Sequence, residues 1–151
     1  MRSVLTTLFL GATLSACSLF GPEVERLDAT TVLQGEASVT ADTVSLASNS
    51  PFLTSLEDEA LFRARYGISE PFGADYAAST LVAVAEPVTS RGGQLVIDAV
   101  ELIGDDRARV TYRATGTPGE AGARLLVHVV RVPRIDLTMR QIETEYSTPS
   151  R

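Results

Sequence analysis

Four features of this 151-residue chain could do chemistry: Cys17, His128, the carboxylate run Glu57-Asp58-Glu59, and, through its backbone, the pair Gly92-Gly93. A thiol can attack or be acylated, and an imidazole can move a proton near neutral pH. Clustered carboxylates can hold a metal, and paired glycines can bring backbone N–H groups against a phosphate. Each of these needs company. The chain has one cysteine and one histidine, which excludes an internal disulfide, a Cys-based metal cage and a His-rich site. A general base needs a nucleophile or carboxylate set beside it, and the sequence contains no Gly-x-Ser-x-Gly elbow and no P-loop. His128, in the run LLVHVVRV, alternates with Leu126, Val130 and Val132. It reads as a strand histidine hydrogen-bonded at a sheet edge. Gly92-Gly93 matches no longer phosphate-binding pattern and reads as hairpin chemistry. No cofactor and no metal is implied, and the residues point away from an enzyme.

Cys17 is explained by what precedes it. Arg2 supplies a positive start, and VLTTLFLGATL (4–14) is apolar but shorter than the roughly 20 residues a spanning helix needs. Residues 1–16 therefore read as a secretory leader. The run Leu14-Ser15-Ala16-Cys17 resembles the bacterial lipobox, an aliphatic residue and two small ones before a cysteine. The resemblance implies that the Cys17 thiol accepts a diacylglyceryl group and that a lipoprotein signal peptidase cuts before it. The alternative, an ordinary leader cut after Ala16, leaves the placement of a lone cysteine unexplained. Each buried acyl methylene is worth about 0.8 kcal/mol, so one chain anchors marginally while two or three hold firmly. Ser18 stands where Asp is the usual inner-membrane retention signal. The expected location is the bacterial cell envelope, on the outer membrane where two are present.

The remaining chain is expected to form a tether over 17–30, broken by Gly21-Pro22, and a domain over 31–146. Residues 29–48, rich in Thr, Val and Ser, suit two short strands or an extended approach. SLEDEALFRARYG (55–67) predicts a helix. Ser55 and Asp58 have capping-box spacing, residues 57–59 place acids at the positive helix end, Glu59 and Arg63 pair at i, i+4, and Gly67 is a stop. A helix start thus accounts for the carboxylate run. STLVAVAE (79–86) reads as a strand buried on both faces, followed by QLVIDAVELI (94–103), RARVTYRAT (107–115) and ARLLVHVVRVP (123–133). In 107–115, Ala108, Val110, Tyr112 and Ala114 should face inward, leaving Arg107, Arg109 and Arg113 as an outward row. Residues 135–146 fit a final edge strand or a short helix. The fold class is mainly β, a β-rich α+β domain: a small antiparallel sheet or sandwich with one short packed helix.

The order of these elements resembles the C-terminal domain of the PrcB-like family, over roughly residues 52–145. The likeness rests on Asp75-Tyr76, on Gly92-Gly93 in SRGGQLVIDAVEL, and on Val129-Val130-Arg131-Val132-Pro133-Arg134. Where the family usually has Thr-Gly-Gly-Tyr this chain has Arg-Gly-Gly-Gln, which keeps the turn and removes an aromatic. The resemblance implies a non-catalytic accessory subunit of a surface or envelope protease complex, acting by protein–protein contact. A second reading is a ligand-binding or protease-inhibiting module that presents the Gly92-Gly93 and 116–122 loops to a target.

Charge sharpens the question of partners. Residues 17–106 hold fifteen acidic and four basic side chains, and residues 107–151 hold four acidic and eight basic, all of them Arg. Arg107, Arg109 and Arg113 are candidates for binding acidic lipid headgroups or an acidic protein. The plainer expectation is a solvated face paired with carboxylates of the first half. A net charge of −6 on an exported chain disfavours nucleic acid.

Overall fold

A computed structural model describes residues 21–40, 50–88, 93–115 and 124–147. Their order is β1 (Val24–Arg26), β2 (Thr30–Thr40), β3 (Phe52–Leu53), α1 (Leu56–Tyr66), β4 (Ser79–Val88), β5 (Gln94–Ile103), β6 (Arg107–Thr115), β7 (Arg124–Pro133) and β8 (Gln141–Tyr146). The strands form two sheets, β1-β5-β6-β8 and β2-β7-β4-β3. The molecule is mainly β, as the alternating apolar patterns require.

The second sheet explains why 79–86 and 123–133 are so apolar. Its β4 and β7 pair along their full length, from Ser79 opposite Pro133 to Val88 opposite Arg124. One face places Val82, Val84, Leu126, Val130 and Val132 against Leu95, Ile97, Val100, Ala108 and Val110 of the first sheet. The other face places Leu81, Ala83, Leu125, Val127 and Val129 under Tyr66 and Phe72. Successive side chains of one strand therefore enter two different cores. Each fully buried Val or Leu stabilises the fold by about 1.5–3 kcal/mol.

The helix starts and stops as its sequence dictates. Ser55 is the N-cap, its Oγ accepting from the Asp58 N–H at 3.1 Å. Gly67 ends the helix in the left-handed region at φ 65°, where a side chain would be strained. The Asp58 carboxylate reaches back one residue further than a capping box would send it. It accepts from Thr54 N–H at 2.9 Å and Thr54 Oγ1–H at 3.0 Å.

Of the 29–48 stretch, expected as two short strands or an extended approach, residues 30–40 form one strand with two register irregularities, and 41–48 lie outside the described residues. Three expectations are corrected. The sheet begins before residue 31, because Val24–Arg26 lies antiparallel to Glu101–Ile103. The last strand runs parallel to β6, Arg107 opposite Gln141. The chain leaves β6 for β7 in the other sheet and returns, so β8 arrives in the direction β6 took. Finally, His128 is not at a sheet edge: β7 lies between β2 and β4.

Candidate functional site

Cys17, the residues before it (Leu14, Ser15, Ala16) and Gly92 lie outside the described residues, as does the 116–122 loop. The other candidate residues can be placed.

The arginine row is formed as expected, on the outer face of β6, and each member has a carboxylate. Arg107 lies 3.7 Å from both Asp106 and Glu143. Arg109 lies 3.3 Å from Glu143 and 3.8 Å from Glu145, and Arg113 lies 2.9 Å from Asp98. Asp98 and Asp106 belong to the acidic first half, whereas Glu143 and Glu145 come from β8. That half of the pairing depends on the parallel return of β8 and had no signal in sequence. The row is thus an internally neutralised ladder, with little bare positive charge to offer a partner.

Gly93 has a different use from the turn expected of it. A Cβ built there would stand 2.4 Å from the Thr115 carbonyl oxygen and 3.3 Å from a Leu126 methyl. The position demands close approach of two backbones at the start of the β5–β6 pairing. Beside it, Gln34, Gly35, Glu36, Leu95, Arg124 and Leu126 line a cleft of about 280 Å³. Glu36 and Arg124 are ion-paired there.

A larger open cleft of about 940 Å³ lies where the two sheets part. Strands β3 and β4 contribute Phe52, Val84, Glu86 and Pro87, the helix contributes Leu61, Phe62 and Tyr66, and the first sheet contributes Tyr112 and Thr144. Tyr112 O–H donates to Glu86 at 2.6 Å, a bond joining the two sheets. Burial and the Glu86 carboxylate push the Tyr112 hydroxyl far above its usual pKa, so it remains a donor. Leu61, 64 % exposed, stands at the rim.

The carboxylate run separates into distinct roles. Glu57 is exposed and Asp58 caps the helix. Glu59 is only 2 % exposed. It accepts from Phe72 N–H at 2.9 Å and Tyr76 O–H at 2.8 Å, and Arg63 lies at 3.4 Å. Burial would raise its carboxyl pKa, but these donors together hold it below the ordinary value. From the other side, Arg131 donates to the carbonyls of Phe72 and Gly73 at 3.3 Å, and Arg134 donates to that of Tyr76. Asp75 turns the chain by accepting from Ala77 N–H at 3.0 Å. So Glu59 and the two arginines fix the 72–76 segment over the second core. Sequence reasoning missed this anchor, since i, i+4 spacing to Arg63 looks the same on an exposed helix face.

Among the described residues no group of three or more His, Cys, Asp or Glu is arranged to hold a metal ion. Among them, too, no helix is long and apolar enough to cross a membrane. Compared with family models, with curated proteins and with solved structures, the chain finds no match.

Proposed function

We propose that this chain is a lipid-anchored protein of the bacterial envelope, a non-catalytic accessory that holds a partner protein at the membrane by contact. The partner class is a secreted or envelope protease, as the PrcB-like resemblance implies. The observation that carries the reading is Leu14-Ser15-Ala16-Cys17 behind a short apolar leader. The mechanism is positional: the acyl chains set where the domain sits, and a face of the domain sets what sits beside it. The cleft between α1, β4 and β6 supports the contact half, because it exposes Leu61 beside aromatic side chains. A single exposed leucine is ordinary on a protein surface; its position at the rim of an open cleft makes it the place to test for contact.

Two measurements test the two halves separately. Cys17→Ser removes the acylated sulfur and is expected to move the protein from the membrane to the soluble fraction. Retention of that variant on membranes contradicts the anchor. A photo-crosslinking residue at Leu61, compared with one at Arg109 on the neutralised face, is expected to capture a protease component from the native envelope. Equal capture from both positions, or none, contradicts contact through the cleft.

A further inference from the structure

His128 is 3 % exposed, and its ring ties three strands together. Nδ1 accepts the Ile97 N–H of β5 at 2.8 Å, and Nε2 lies 3.1 Å from Thr31 Oγ1 of β2. A ring nitrogen that accepts carries no proton, so the imidazole is neutral and its hydrogen sits on Nε2, donated to Thr31. Ile97 stands where β5 is irregular. Its register against β6 slips between Ile97 and Ala99, and β1 covers only Glu101–Ile103. The imidazole therefore takes the place of a missing strand.

Other groups complete this closure of β5. Gln34, opposite His128 in the β2–β7 register, donates its side-chain amide to Leu95 O at 2.8 Å. Arg26 donates to Asp98 O, and Leu27 N–H to Val100 O at 2.9 Å. Beside the shared apolar core, two side-chain bonds cross from the second sheet to β5 at residues 95–97, His128 to Ile97 and Gln34 to Leu95, and the first requires an unprotonated Nδ1.

We propose that His128 is an acid-operated latch on this seam: a proton on Nδ1 turns the acceptor into a donor facing a donor, frees the Ile97 N–H, and parts β5 from β2 and β7 around residues 95–98. The balance is simple, since one solvent proton is taken up and no covalent bond breaks. Burial lowers the imidazole pKa below its ordinary 6.5, and the Asp98 carboxylate of β5 opposes that lowering. Asp98 is itself paired with Arg113 of β6 at 2.9 Å, with Arg26 of β1 on its carbonyl. From β2, the groups facing the ring side are the neutral Thr31 and Gln34, while Glu36 is ion-paired with Arg124 of β7. From β4, Val84 lies opposite and Glu86 is held by Tyr112. The sign follows. With a depressed folded value, the unfolded chain binds the proton first as pH falls below 6.5. Opening of the seam, which exposes the ring, then becomes easier by up to about tenfold per pH unit, until the closed ring itself titrates.

The chain has one histidine, so a ring ¹⁵N spectrum of the full chain in detergent reports this imidazole alone. At about pH 7.5 the Nε2–H tautomer is expected. Between about pH 7.5 and 5, exchange protection of the Ile97 amide, corrected for intrinsic rate, should fall by about tenfold or more. Amides of α1 should keep theirs. His128→Asn retains an acceptor near Nδ1 that does not titrate, and its Ile97 protection is expected to stay level. An Nδ1–H tautomer at neutral pH, or Ile97 protection indifferent to pH in the parent protein, overturns the latch. An equal loss in the Asn variant overturns it too. Should that variant fail to fold, the tautomer and the parent exchange profile decide.

Discussion

A carboxylate buried with three donors is a different object from one on a helix surface, and Glu59 is the residue where this matters most. Glu59→Gln keeps the shape but turns one acceptor oxygen into a donor that faces the Phe72 N–H or the Tyr76 O–H. Leaving a buried donor unsatisfied costs about 1–3 kcal/mol, and urea unfolding at neutral pH should read a loss of that size. The pH dependence has a definite sign. The folded carboxyl lies below its ordinary 4.5, so its stabilising contribution is present above that value and is lost as pH falls through the folded one. The gap between parent and Gln variant is therefore expected to narrow in acid. Gly93→Ala is the second residue-scale test. Its Cβ has no room against the Thr115 carbonyl, and overpacking of this kind costs about 1–3 kcal/mol. A lowered melting temperature checks it; an unchanged one would mean the two backbones separate freely.

Elements whose partners are near in sequence were legible, and elements placed by distant partners were not. Ser55, Gly67 and the apolar runs at 79–86 and 123–133 announce a helix, a strand buried on both faces and a strongly apolar strand, because capping and periodicity are local properties. The inward set of β6 was equally plain. By contrast, β1 is three exposed residues, Val24–Arg26, that become a strand only because Glu101–Ile103 lies beside them. The parallel placement of β8 depends on the excursion of β7 into the other sheet. Buried Glu59 carried no mark distinguishing it from a surface residue at the same spacing, and His128, though in line with Leu126, Val130 and Val132, gave no sign of its partners on β2 and β5. The β8 strand yields the prediction at this scale. It is mostly exposed and is joined to β6 through Arg107 and Arg109, with Tyr146 edge-on to Tyr112 at 5.6 Å. Partly exposed ion pairs contribute about 0–1 kcal/mol and weaken with salt. Arg109→Ala should raise amide exchange in β8 modestly, and molar salt should erase the difference. A large effect on β4 would show that the ladder matters beyond its own strand.

At the scale of the whole molecule, the proposed anchor and the proposed contact face are independent devices joined by a short stretch of chain, which is why Cys17→Ser and a Leu61 crosslink can fail separately. The strand order holds a further consequence. Strands β5 and β6 are neighbours across Gly104-Asp105-Asp106 and can zip up as soon as both exist. Strands β2 and β4 instead share β7, and the Thr31–His128 bond spans 97 positions. Closing such a long loop delays pairing. If the chain is exported N-terminus first, as the proposed anchor implies, β2 and β4 emerge before the strand they share, and half the architecture waits for the final third of the sequence.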